Sequence, residues 1–284
     1  MKYLQGYTVK PYETTEVGQV YFTDGTTNDL LVNKQTCEAY GYRFDNASGT
    51  CRAFSFSPKI SRNFNNIANN LLGSETNKAE RGSEKVLING NLNISRGDNR
   101  NCFATGEEHE LGSRLNNASI IGGAGARTYR QGEIAIGGNS EYGAGYAQSS
   151  IVQLGSKSVS DADVDLTAQR QGEQYIEMQL NSVIGFEIFV TRFEVSGSDV
   201  GDFGYVSIKG AAICDNSGSI TLTTHSTTTI ATNSTIGAMV MRDTSVSSSY
   251  PSISVRCTGP SGATRGHYWS ATAYLHETKS INTF

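Results

Sequence analysis

Proline is scarce in this chain, at 4 of 284 residues, and so are charged side chains at 18% and hydrophobic ones at 37%. Soluble domains usually carry about 25% charged and about 45–50% apolar residues. The apolar deficit argues against one large enzyme-like core. Glycine (31 residues), serine, threonine and asparagine fill the gap. Few prolines with many glycines and threonines suit short strands joined by tight turns. Such chains often complete their cores by association with copies of themselves.

Other absences narrow the function. No basic block stands out against a net charge of −4, so no nucleic-acid partner is expected. No run approaches the roughly 18 apolar residues of a membrane span, so no membrane insertion is expected. Residues 1–16 are polar and show no apolar signal region, and assembly in a cytoplasm is the resulting expectation. No CxxC pair exists, and His109, His225, His267 and His276 have no partner at metal-ligand spacing, so no metal is expected. Asp161, Asp163 and Asp165 alternate like the start of a calcium loop, but Leu166 and Gly172 stand where that loop needs glycine and glutamate. They read instead as a solvated acidic edge. Gly122–Arg127 is glycine-rich without the lysine of a phosphate loop, and no G-x-S-x-G or HExxH is present. No catalytic or cofactor-binding residue is therefore nominated, and a non-enzymatic chain is expected. Carboxylate pairs for glycoside hydrolysis need not be adjacent in sequence, and spacing does not test for them.

Five cysteines are an odd number. Buried free thiols are expected, with a Cys37–Cys51 disulfide across the 40–49 hairpin as the alternative. Asn46, Asn93, Asn117 and Asn233 fit the N-x-S/T sequon and read as polar turn residues.

The expected fold class is mainly β. Residues 1–57 read as a small module of short strands and turns, with Val17–Phe22 ending at Asp24-Gly25. Residues 58–69 follow Pro58 as a short helical connector, since Phe64, Ile67, Ala68 and Leu71 share one helix face. Across 70–142, five short runs close on Gly73, Gly90, Gly106, Gly122 and Gly137, about sixteen residues apart. An internal period of that length is the mark of a β-solenoid. A single coil cannot bury its apolar residue, whereas stacked coils can. Leu72, Ile88, Phe103, Ile121 and Ile136 are the candidates for packing inside the solenoid or between chains. Gly143–Ser150 reads as a hinge. Residues 151–284 then hold alternating strands, consistent with an antiparallel, jelly-roll-like β-sandwich. In the last strand Trp269, Ala271, Ala273 and Leu275 share one face, and Tyr268 and Tyr274 lie on the other. Trp269 is expected in the core, and Tyr268 and Tyr274 are the candidates for a distal binding face.

The repeat Ser119-Ile-Ile-Gly122 … Ile134-Ala-Ile-Gly137 resembles the head repeats of trimeric autotransporter adhesins. Similar repeats occur in the fibre and haemagglutinin-like spike proteins of tailed bacteriophages. The coils here are longer, near sixteen residues rather than fourteen. Residues 151–277, with Leu154-Gly-Ser-Lys and Tyr205–Ala211, also look like the C-terminal domains of such fibres. The resemblance implies a homotrimeric virion subunit on tail or head. Its N-terminal module would meet other virion proteins, and its β-sandwich would meet a host-surface glycan or protein. A virion adaptor without receptor, or a polysaccharide-degrading tailspike, are the alternatives.

Overall fold

The computed structural model describes residues 8–15, 18–46, 48–53, 70–74, 76–139, 141, 143–159, 162–168, 174–245, 251–260 and 265–280. The helical connector expected at 58–69 lies outside them. The chain falls into two compact units, Met1–Arg62 and Asn63–Phe284.

In the first unit, β1 (Lys10–Thr14) pairs antiparallel with β2 (Val20–Thr23), and β3 (Arg43–Asp45) with β4 (Thr50–Arg52). Between the pairs lies a helix that the strand-and-turn reading did not anticipate, α1 (Lys34–Ala39). Its six residues are too few to show a helical period. The local signal was Asn33, whose side chain caps the helix by accepting from the Thr36 N–H. Val20, Phe22, Cys37 and Cys51 form the core, with Tyr40 and Tyr42 edge-on to the Phe22 ring. Cys37 and Cys51 are joined in a disulfide, which corrects the preference for free thiols at these two positions. The core is too small to hold much stability by itself, and a cross-link compensates for that.

The second unit begins with the solenoid. Its first wall is the parallel stack β5 (Leu71–Leu72), β7 (Leu87–Asn91), β9 (Phe103–Glu107), β11 (Ser119–Ile120) and β13 (Ile134–Asn139). The second is β6 (Lys78–Ala79), β8 (Ile94–Ser95), β10 (Glu110–Leu111) and β12 (Arg127–Thr128). A third side is marked by parallel bridges from Glu84 to Arg100 to Asn116. The inward column of the first wall is Leu72, Ile88, Ala104, Ile120 and Ala135, all buried and in register. The coil repeat is thus sixteen residues for three steps and fifteen for the last. Of the five packing candidates, Leu72 and Ile88 point into the coil, whereas Phe103 is only half-buried and Ile121 and Ile136 face outward, which leaves packing between chains as the role open to these three. Gly73 is also out of column, pairing with Asn89, whereas Gly90 stacks on Gly106. Gly90 has φ +101°, and a Cβ there would run into the Gly106 carbonyl.

Small core residues leave each coil thin, and buried amides do the remaining work at one corner. The Asn77 Oδ1 accepts the Asn93 N–H at 3.0 Å, and the Asn93 Oδ1 accepts the His109 N–H at 2.9 Å. The His109 Nδ1 accepts the Ala126 N–H at 3.0 Å. The Asn93 amide also donates to the carbonyls of Asn89 and Gly106. Asn93, read from its sequon as a polar turn residue, is fully buried. Such a ladder satisfies corner N–H groups that no strand reaches.

The solenoid continues without a break into the C-terminal strands. These are β14 (Ala147–Val159), β15 (Val164–Asp165), β16 (Ile176–Glu177), β17 (Ser182–Ser196) and β18 (Phe203–Cys214). They continue with β19 (Ile220–Thr232), β20 (Ala238–Asp243), β21 (Ser252–Thr258) and β22 (Gly266–Lys279). Residues 147–150, expected as part of a hinge, lie instead in β14, which pairs antiparallel with both β13 and β22. One ten-stranded sheet therefore runs β19-β18-β17-β22-β14-β13-β11-β9-β7-β5. A smaller sheet of β15, β16, β20 and β21 covers its long-stranded half. Between them lies the largest core, including Ile184, Phe186, Ile188, Val190, Ile208 and Trp269. The mainly-β class, the solenoid and the sandwich stand as expected. Cys102, Cys214 and Cys257 are free and buried, and burial pushes the Cys214 thiol up to about 11.

Reduction of the Cys37–Cys51 bond, which closes a 14-residue separation, should cost the first unit about 3 kcal/mol in a urea titration with and without reductant. The second unit should be unaffected.

Burial holds the His109 imidazole below its ordinary range, and its Nδ1 must stay unprotonated to accept from Ala126. The stability this contributes is complete above the unfolded value near 6.5 and is lost as pH falls from there toward the depressed folded value. The melting temperature should drop between about pH 7.5 and about pH 5.5. His109→Asn, which extends the asparagine ladder, should flatten that drop; an unchanged slope would refute it.

Candidate functional site

Where β13 stops, the large sheet has a step. β13 pairs β14 only from Ala147 to Ile151, so Gln153–Lys157 has no β13 residue alongside. On that stretch Gly155 makes an isolated bridge to Thr167. The step is an open groove of about 720 Å³, lined by Gln153–Lys157, Thr167, Ala168 and Tyr268–Ser270. Alternation along β22 decides which side chains meet it. Trp269 is buried, and its Nε1–H donates to the Ser158 Oγ at 2.9 Å. Tyr268 is 50% exposed with the Lys157 ammonium 5.4 Å from its ring centroid. Gln153 and Thr272 hydrogen-bond at the groove's near end. An exposed aromatic face beside a lysine, a glutamine and hydroxyl groups suits a polyhydroxylated ligand, with ring stacking and hydrogen bonds to its hydroxyls.

The structure places the two nominated tyrosines differently. Tyr268 lines the groove. Tyr274, 42% exposed, lies beyond it, edge-on to Phe189, which stacks on Tyr205. Of the nominated packing residues, Leu72 and Ile88 are core, and Phe103, Ile121 and Ile136 lie on the outward side of the first wall.

Sequence reasoning passed over two clusters. At the junction of solenoid and sandwich, the buried Arg130 donates to Glu133 at 2.7 Å and to both Glu277 carboxylate oxygens at 2.8 Å. It also donates to the Glu177 carbonyl, and Ser150 and Tyr129 donate to Glu277. Burial raises the Glu133 carboxyl against the pull of Arg130, and Glu277 adds to the rise. Burial works the same way on Glu277, but the charge and hydrogen bonds of Arg130 outweigh it and hold that carboxyl below its usual range. With no solvent access, this cluster is structural. The second is Glu194, Asp199 and Asp202, whose carboxylates lie within 4.8 Å of one another. The guanidinium groups of Arg192 and Arg265 sit against Glu194 at 3.7 and 3.5 Å, and Arg265 also meets Asp199, so protein cations already occupy it. The acidic edge Asp163/Asp165 is ion-paired with Arg256, and Asp165 also with Arg242.

No protein-family model matches the chain, and no curated protein does. Solved structures do match. They include the tailspike of Acinetobacter baumannii phage AM24, at 8% identity and TM-score 0.29, covering 75% of this chain and 52% of that one. Tailspike gp49 of A. baumannii bacteriophage Fri1, a capsular polysaccharide depolymerase, matches at 9% identity and TM-score 0.30, covering 72% and 46%. The Acinetobacter phage vB_ApiP_P1 tailspike matches at 8% and 0.22, covering 75% and 51%. The structural neighbours are thus phage tailspikes, and the chain spans about half their length. At these TM-scores the likeness does not by itself assign an activity. The depolymerase among them nevertheless overturns the expectation of a non-enzymatic chain, which is withdrawn. None of the three is an autotransporter adhesin.

Arg130→Met should leave two buried carboxylates uncompensated and cost about 3–5 kcal/mol in urea denaturation. Adding Glu133→Met and Glu277→Met should recover most of that loss; no recovery would mean the arginine acts by packing alone.

Proposed function

We propose that the chain is a subunit of a homotrimeric phage fibre or spike, carried on the virion. In this reading residues 1–57 meet other virion proteins, and the C-terminal strands meet a glycan on the host surface. The groove beside Tyr268 carries the reading: an aromatic face, a lysine and neutral hydrogen-bonding groups set together at a step in a rigid sheet. Three copies would present three such grooves, and weak single-site contacts would gain strength by multivalency. The depolymerase among the solved neighbours supports a polysaccharide as the ligand class. Tyr274 stands outside the groove and makes no ligand contact in this reading, so its variant is the comparison.

The test is binding to a panel of purified bacterial capsular polysaccharides by the full chain, its Tyr268→Ala variant and its Tyr274→Ala variant. The wild type should bind at least one polysaccharide. Tyr268→Ala should weaken that binding about tenfold, equivalent to about 1.4 kcal/mol, with an unchanged melting temperature. Equal binding by Tyr268→Ala and wild type would remove the groove from the proposal. Release of reducing ends in the same incubations reads any cleavage directly.

A further inference from the structure

The three sides of the solenoid carry different chemistry. The second wall bears an ion-pair ladder from Glu80 to Arg96 to Glu110 to Arg127, with contacts of 3.0 to 3.5 Å. The third side pairs Glu84 with Arg100. Such ladders belong against water, where charged side chains stay hydrated. Among the described residues the first wall has none. Its outward positions include Leu71, Leu87, Phe103, Ile121, Ile134 and Ile136, of which Leu87 is 40%, Ile136 45% and Ile121 51% exposed, together with the uncharged Asn89, Thr105 and Ser119.

This stripe continues along the large sheet. Ile134 is level with Ile151, Tyr274, Glu187 and Lys209 on the following strands. Lys209 and Glu187 pair at 2.6 Å, so that row brings no net charge. The band is ten strands wide, about 45 Å, and about five residues or 17 Å deep. That is roughly 770 Å², close to the about 800 Å² per partner of a standard stable interface. Aliphatic side chains concentrated on one exposed wall of such a band mark an interaction surface.

We infer that this outward face of the first wall is the surface on which each chain meets the next around the three-fold axis, and that its occupant is another copy of the same chain. The inference rests on the trimeric reading above. The rungs of the ladder rise one coil at a time, about 4.8 Å. Copies related by rotation about an axis parallel to the coil axis place equal rungs at equal heights, so each rung meets the same rung of its neighbours along the whole stack. A ring closes because the same two surfaces repeat at each contact. The band stops short of Lys157 and Tyr268, which leaves the groove open in the assembly.

The experiment compares the full chain with the Leu87→Lys/Ile136→Lys variant by size-exclusion chromatography with light scattering, with far-UV circular dichroism as the folding control. Single variants Ile121→Cys and Lys78→Cys are treated with a bismaleimide, the remaining free cysteines being buried. The expected result is a trimeric wild type, loss of the trimer peak in the folded double-lysine variant, and covalent dimers from Ile121→Cys, which carries one reactive thiol per chain, but not from Lys78→Cys, which lies on the charged wall. Should the double variant fail to fold, the cross-linking pair decides. A trimeric wild type that cross-links only through Lys78→Cys overturns this interface and leaves the trimeric reading intact. A monomeric wild type overturns both.

Discussion

The second unit turns on one arginine shared by two buried carboxylates. Every coil of a parallel solenoid leaves an open row of donors and acceptors for the coil above, and the last coil has none above it. β14 solves this on the first wall by pairing antiparallel with β13. On the second wall a single side chain stands in for the missing coil: Gln148 accepts the Arg127 N–H and donates to the Arg127 carbonyl. At the turn between the walls Arg130 does the rest, drawing Glu133 of the last coil and Glu277 of β22 to one guanidinium. A charge placed there without its partners would be costly. The network therefore ties the solenoid's end to the sandwich in one arrangement and rejects others.

The solenoid's period was legible because glycine recurs where backbones stack. Its phase was less so. The apolar runs alone do not tell the inward residue from its neighbour, and Phe103, Ile121 and Ile136, nominated for packing within or between chains, face out or lie half-buried. The inward position is a constant offset, two residues before the glycine in four coils, and is filled by Ile88, Ala104, Ile120 and Ala135. Alanine inside and isoleucine outside inverts the usual rule because the coil interior is thin and the outer wall is apolar.

Alternation in the C-terminal strands was read correctly, since a two-residue period fixes the face of each side chain. Trp269 inside and Tyr268 outside follow from it. The groove itself was not legible. It exists because β13 ends at a particular register against β14, and no local pattern in residues 153–157 encodes that. The Arg130 cluster was hidden for a related reason: Arg130 and Glu277 are far apart in sequence and meet only when β22 enters the sheet beside β14. The disulfide lay between these cases, its two cysteines visible but their pairing decided by α1.

The repeated coil has a consequence for length. Each middle coil offers the coil above the same edges that it receives from the coil below, through Asn77, Asn93 and His109 at one corner and the Leu72–Ile88–Ala104 column on the wall. Only the last coil, shortened by one residue, is shaped for its neighbour in the sandwich. Gain or loss of a middle coil would change the height of the stack by about 4.8 Å and leave both ends as they are. The solenoid is in this sense a graduated spacer, its reach adjustable in steps of one coil.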